Sequence, residues 1–332
     1  MSEGQDLFRY VAEEFAEDYR EGEIDRREFL RRTIILGGGI AGARALLLSL
    51  GIAGVSAAEL AQAQQSNPQA PTPESKPQVD PNDPAIQAQM LTYNARGFDQ
   101  MAYLVRPAGN TSAPGILVIH ENRGLQPHIQ DVARRVAKAG YIAIAPDLVS
   151  KVGGTAKFTD TAQISVYLAQ TPAEEHVANL QEALKVLKGT QGVQADKLGV
   201  VGFCFGGGLT WRLATEAPEV KAAVPFYGPA PDLAKVPNIK AAVPFYGPAP
   251  DLAKVPNIKA AVLGIYGGLD NRINQGIPAL EAALKAANIR YRIKIYDGAN
   301  HAFNNDTGPN YNKEAATDAW AMTLDWFKTY LV

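Results

Sequence analysis

The sequence predicts an α/β protein built on a mainly parallel central sheet with helices on both faces. Three observations carry that prediction. Short aliphatic and β-branched runs recur along the chain, stretches with apolar residues at helical spacing separate them, and most of the runs are continuously apolar instead of alternating. A strand that is apolar on both sides must be covered on both faces, as in parallel sheets whose crossovers are helices. Regular succession of strand and helix completes the pattern.

Taken in order, "MLTYNA" and "QMAYLVRP" read as an antiparallel pair. "GILVIH", "YIAIAP", "KLGVVGF", "AAVPFYG", "AAVLGIYG" and "YRIKIYDG" read as buried strands. Apolar spacing predicts helices over 129–139, 173–188, 209–216, 277–287 and 313–330.

The part ahead of these elements reads differently. "DRREFLRR" (25–32) runs into an apolar, glycine-rich stretch that ends in small residues. It resembles a twin-arginine export signal: Arg26-Arg27, then Phe29-Leu30 and the basic Arg31, although Asp25 replaces the usual Ser or Thr and Arg44 interrupts the apolar run. The resemblance implies the twin-arginine export machinery as a partner and a periplasmic or otherwise exported location. Membrane contact is then transient or runs through an uncleaved signal, and cleavage is expected after Ala57 or Ala63. The competing reading is a membrane anchor or a buried helix. Residues 64–84, "QQSNPQAPTPESKPQVDPNDP", hold too much proline to build a core and form a linker. The expected division is therefore 1–63 export signal, 64–84 linker and 85–332 catalytic domain.

Charge and composition exclude several function classes. The chain is 46% hydrophobic and 20% charged, a globular composition. Residues 1–63 carry seven Lys/Arg and eleven Asp/Glu, which leaves 25 basic and 23 acidic residues in the remainder. That near-neutral remainder lacks the basic stripe a phosphate backbone requires, so no nucleic acid partner is expected. The one cysteine cannot form an intrachain disulfide. The histidines His120, His128, His176 and His301 show no metal-binding spacing, and no metal or organic cofactor is implied.

A 19-residue stretch at 221–239, "KAAVPFYGPAPDLAKVPNI", is repeated without change at 240–258. Solenoids need more units than two. Only one "AAVPFYG" can fill a given strand slot. The spare copy is expected to add at an edge, loop outward or displace its twin, and to carry no chemistry.

The chemistry is expected around "VVGFCFGGG" (200–208), where Cys204 occupies a strand-to-helix turn of form G-x-C-x-G. Gly202 and Gly206 suit the sharp bend, and the helix N-terminus beneath the sulfur favours a thiolate. A thiol nucleophile needs a base and a group to orient it. Asp270 in "IYGGLDNRIN" and His301 in "YDGANHAFNND" supply them, each just after a strand. Nucleophile, acid, base is the chain order of the α/β-hydrolase fold, with all three at carboxyl ends of strands. After "GILVIH", the backbone N–H of Asn122 or Glu121 can join that of Phe205 as an oxyanion hole. Glu121 reads either as a site residue or as a solvent-facing loop acid.

"VIHENRGL", "VARRVAKAGYIAIAPDL", "VGFCFGGG", "IYGGLDNRI" and "DGANHAF" together resemble the dienelactone hydrolase (carboxymethylenebutenolidase) family and span most of 116–303. The resemblance implies a Cys-Asp-His triad at Cys204, Asp270 and His301. It also implies that Glu121 contacts the thiol and controls its activation, that His301 protonates the leaving group, and that water releases the acyl group from sulfur. Family members that act on dienelactone hold its carboxylate with arginines, one shortly after the H-x-F motif, where this chain has Asn304 and Asn305. Arg123 and Arg272, with Phe303, are the candidate substrate contacts here. The expected function is hydrolysis of a small-molecule ester or lactone through a cysteine acyl-enzyme. The alternative is a non-catalytic small-molecule-binding or thiol-sensing protein on the same fold.

Overall fold

Residues 3–64 fold into four helices: α1 (Glu3–Arg20), α2 (Arg26–Leu36), α3 (Ile40–Ser49) and α4 (Ala57–Gln64). Local chemistry sets their ends. The Asp25 carboxylate caps α2 by accepting from Glu28 N, and Ser56 with Glu59 forms a reciprocal capping box at α4. Gly37 to Gly39 turn the chain through 108° between α2 and α3. Phe15, Phe29, Leu30, Ile34, Leu47 and Leu60 bury one another in a small core. The segment read as an export signal is thus folded, and it lies against the rest of the chain as a cap. No single described helix is long and apolar enough to cross a membrane, though α2 and α3 meet that test as a bent pair. The structure, a computed structural model, describes residues 3–69, 76–109, 112–217, 219–226, 241–242, 261–270, 274, 277–286, 288, 291–300 and 303–331.

Beyond the cap the chain builds a sheet. Strands β1 (Ile86–Ala95) and β2 (Phe98–Pro107) form the expected antiparallel pair. Arg96 and Gly97 both take positive φ, 54° and 96°, which suits a two-residue hairpin turn. Then follow β3 (Ala113–Ile119), α5 (Pro127–Lys138), β4 (Ile142–Pro146), α6 (Thr161–Gln170), α7 (Ala173–Gly189) and β5 (Val193–Phe203). The chain continues through α8 (Phe205–Glu216), β6 (Val220–Phe226), β7 (Ala241–Ala242), β8 (Ala261–Gly267), α9 (Ile277–Ala286), β9 (Tyr291–Tyr296) and α10 (Lys313–Leu331). Among the described residues the sheet has nine strands in the order β1-β2-β4-β3-β5-β6-β7-β8-β9. All neighbours from β4 to β9 run parallel. Helices flank it, and the continuous apolar runs of β3, β4 and β5 are buried between the layers. This is the mainly parallel, helix-covered sheet that the sequence predicts.

The repeat departs from expectation in one respect. The first copy forms β6, and the second contributes Ala241–Ala242 as a short strand inside the sheet, not at an edge and not in place of its twin. Ala242 pairs with Ala223 on one side, and Ala241 pairs with Ala261 on the other. The ladder groups of β6 and β8 supply partners for the inserted backbone. Residues 227–240 and 243–260 lie outside the described residues.

The end of the proline-rich stretch is docked on α5. Backbone N–H groups of Gln78 and Val79 donate to the Asp131 carboxylate at 3.1 and 2.9 Å, and Arg134 Nε donates to Val79 O at 2.7 Å. Val79 itself is buried.

Candidate active site

Strand β5 ends at Phe203, and α8 starts at Phe205. Cys204 between them takes φ 53°, ψ −116°, a sparsely populated backbone region that costs about 1–3 kcal/mol and persists only where the surroundings enforce it. Here the enforcement comes from close backbone approach. A side chain at Gly202 would collide with Gly206 O and Thr210 Oγ1, and one at Gly206 would sit 2.6 Å from Ile119 O. The first turn of α8 hydrogen-bonds back to Cys204 O, from Gly207 N at 2.9 Å and Gly208 N at 3.2 Å. Phe205 is the first helical residue, a position whose N–H has no partner within the helix. Its ring is buried and meets the His176 ring edge-on at 5.3 Å. Burial holds the His176 imidazole down at about 4, and its Nε2 lies 3.0 Å from Leu168 O.

The loop after β3 forms the second wall. His120 is fully buried, with Nδ1 2.6 Å from Glu121 O and Nε2 accepting from Leu148 N at 3.1 Å. Burial depresses its pKa, so the neutral ring ties the end of β3 to the end of β4. Ser165 Oγ on α6 donates to Asn122 O at 2.9 Å, and Gln126 Nε2 donates to Arg123 O at 2.7 Å. These bonds fix Glu121, Asn122 and Arg123 before any substrate arrives. Glu121, Asn122, Arg123, Cys204 and Asn305 line one pocket, where Asn305 Nδ2 is 3.4 Å from Glu121 Oε1.

On the far side, Asp270 follows β8 and is buried. Its N–H donates to Gly267 O at 3.2 Å, and its carbonyl accepts from Asn274 N at 3.0 Å. Leu269 N donates to Ala299 O at 2.9 Å, and Gly268 N to Tyr296 O at 2.8 Å. The loop that carries Asp270 is therefore laced to the loop after β9, up to the residues just before 301. His301 and Arg272 lie outside the described residues. Phe303 is a core residue, fully buried with its ring 5.2 Å from that of Tyr296, and not a wall of the pocket. Among the described residues no group of three or more His, Cys, Asp or Glu side chains could hold a metal ion.

What sequence reasoning missed is the roof. Cys204 Sγ donates a hydrogen bond to Glu14 Oε2 on α1 at 3.0 Å. Arg123, expected to meet substrate, is paired with Asp18 at 3.3 Å and Glu23 at 3.1 Å. Burial and the neighbouring Asp18 push the Glu23 carboxyl up, although Arg123 opposes the shift. The pocket over the sulfur is left with a volume of about 40 Å³. The signal for this roof was present in the sequence as Glu14, Glu17 and Asp18, which recur at helical spacing on one face of α1, with Glu21 just past its end.

A strained strand-to-helix elbow at the carboxyl end of a parallel strand, in a mainly parallel sheet covered by helices, is the architecture of the α/β-hydrolase fold. The chain belongs to the dienelactone hydrolase family, whose profile matches residues 101–240 and 232–331 and breaks within the repeat. A "Putative carboxymethylenebutenolidase" of Salmonella typhimurium is 35% identical over 251 residues, 75% of this chain and 89% of that protein. Another, of Methylorubrum extorquens, is 38% identical over 235 residues, 69% and 76% of the respective chains. A Klebsiella pneumoniae "Putative Dienelactone Hydrolase" crystal structure superposes with a TM-score of 0.61 at 32% identity, covering 74% of this chain and 100% of that one. A dienelactone hydrolase-like phosphotriesterase from metagenomic libraries shares the fold, with a TM-score of 0.56 at 22% identity and coverage of 74% and 99%. The chain is accordingly a hydrolase acting on ester or lactone bonds.

Proposed function

We propose that this hydrolase cleaves a small ester or lactone by nucleophilic attack of Cys204 and passes through an acyl-enzyme. The observation that carries the reading is the forced backbone of Cys204 between Gly202 and Gly206, because a structural cysteine has no use for such strain. In this mechanism His301 takes the thiol proton and Asp270 orients the imidazole. Sulfur attacks the carbonyl carbon while the backbone N–H groups of Asn122 and Phe205 receive the developing oxyanion; such a donor contributes about 3 kcal/mol. His301 returns its proton to the leaving oxygen, and water then cleaves the thioester. Glu121 lines the same pocket and acts as the acid that governs when the thiol ionises.

The test is turnover of p-nitrophenyl acetate, with mass spectrometry of the quenched enzyme. Cys204→Ala should abolish turnover and the transient acetyl adduct while the fold persists. Full activity in that variant would sink the reading.

The export reading also belongs here as a proposal. Arg26 and Arg27 keep about half of their side-chain surface exposed, at 47% and 55%, whereas Arg31 and Arg32 are buried at 7% and 10%. An exposed arginine pair on a folded chain suits an export machinery that takes folded cargo. Substituting Arg26→Lys with Arg27→Lys should retain the protein in the cytoplasm, read by cell fractionation. Unchanged export would count against the proposal.

A further inference from the structure

We propose that α1 is an intramolecular inhibitor of the active site, so that catalysis is confined to chains in which α1 has been released or removed. The proposal rests on the assignment of Cys204 as nucleophile and adds a regulator to it.

Four observations point the same way. Glu14 sits against the sulfur, where an acyl carbon would have to arrive. Asp18 and Glu23 occupy Arg123, the cation among the described residues lining the pocket. The volume left over Cys204, about 40 Å³, holds a water or two, whereas small-molecule sites span about 300–1,000 Å³. Deprotonating Cys204 would set a thiolate 3.0 Å from the Glu14 carboxylate, and like charges at that distance repel. With α1 docked, the elbow has little room for a substrate, and Glu14 opposes ionisation of the sulfur.

The docking is built to hold. Arg31 bridges Glu28 and Asp160 with four hydrogen bonds of 2.7 to 3.1 Å, which fastens α2 to α6. Arg32 bonds Asp18 at 3.1 Å and so couples α2 to α1. Removal of residues 1–63, the segment read as an export signal, would take the whole inhibitor away and uncover the sulfur.

The experiment uses the full chain. Its single cysteine makes iodoacetamide a specific reporter, read by mass spectrometry. A variant with Glu14→Gln, Asp18→Asn and Glu23→Gln keeps the shapes and removes the charges. It should be alkylated at least about tenfold faster than wild type, the factor expected from losing charge-assisted hydrogen bonds, and should turn over p-nitrophenyl acetate faster by a similar factor. Phe15→Asp provides a second route, because it breaks the packing of α1 without touching the pocket. Equal alkylation rates in wild type and in Phe15→Asp, with protease cleavage inside 1–63 showing α1 undocked, would overturn the proposal. Alkylation reads the roof whether or not sulfur is the nucleophile. Activity that persists in Cys204→Ala therefore removes the mechanism, while unchanged alkylation removes the inhibitor.

Discussion

The sheet domain and the helical cap are both folded around apolar side chains, but they hold together by different means. The sheet is closed by fully buried aliphatic residues such as Leu117, Val118, Ile144 and Val200, packed between helices. The cap has a smaller core that takes in Val166 and Ala169 of α6, and ion pairs reinforce its seam with the sheet domain: Arg31 with Asp160, and Arg123 with Asp18 and Glu23. Apolar packing is non-directional and degrades gradually, whereas a buried ion network is secure when complete and costly when one partner is lost. The seam is therefore expected to open before the sheet does.

The strongest blow to the sheet side is Gly202→Val. The added atoms meet Gly206 O and Thr210 Oγ1 across the elbow, so a loss of about 4 kcal/mol or more is expected, read as a lower Tm together with abolished turnover. Arg31→Met strikes the seam instead. It leaves the buried Asp160 without its guanidinium partner, while Glu28 keeps Arg32 and Gln69 N, and should weaken cap docking by about 3–5 kcal/mol. Limited proteolysis should then cut within 1–63 and leave the sheet domain whole. Simultaneous degradation of both regions would mean that the two are one cooperative unit.

A pH titration sharpens the contrast at smaller amplitude. Burial alone would raise the Glu28 carboxyl, but hydrogen bonds from Arg31, Arg32 and Gln69 N outweigh it and hold the group at about 2, against an ordinary 4.5. A depressed carboxyl contributes its full stabilisation above 4.5, and that contribution is lost as pH falls from there toward 2. Protease sensitivity of the cap should rise over that window, and Glu28→Gln should flatten the dependence. The smallest effect is expected from deleting residues 240–258, which should leave Tm unchanged or raise it slightly. A lower Tm after the deletion would show that the second copy supports the sheet.

How much of this could be read beforehand depends on how local each signal was. The elbow was legible because its chemistry is written in five consecutive residues, and the buried strands because their apolar runs are continuous. Helix α6 was not legible. Ile164 and Leu168 face the sheet's core while Val166 and Ala169 join the cap's, so the helix is covered on two sides and shows no single apolar stripe. The contact between Glu14 and Cys204 spans 190 positions, and no periodicity reports such a pairing. Asp270, placed by chain order as the acid, is buried beside the loop that leads to 301. Phe303 misled because an aromatic next to a candidate histidine looks like a substrate contact, when its neighbour in space is Tyr296.

The two alanines of β7 have a geometric consequence. Each strand occupies about 4.8 Å across a sheet, so an extra one between β6 and β8 carries the aspartate-bearing edge farther from the sulfur by that amount. The separation of Asp270 from Cys204 is thus set partly by a duplicated stretch, and a chain with a single copy would draw the two closer together.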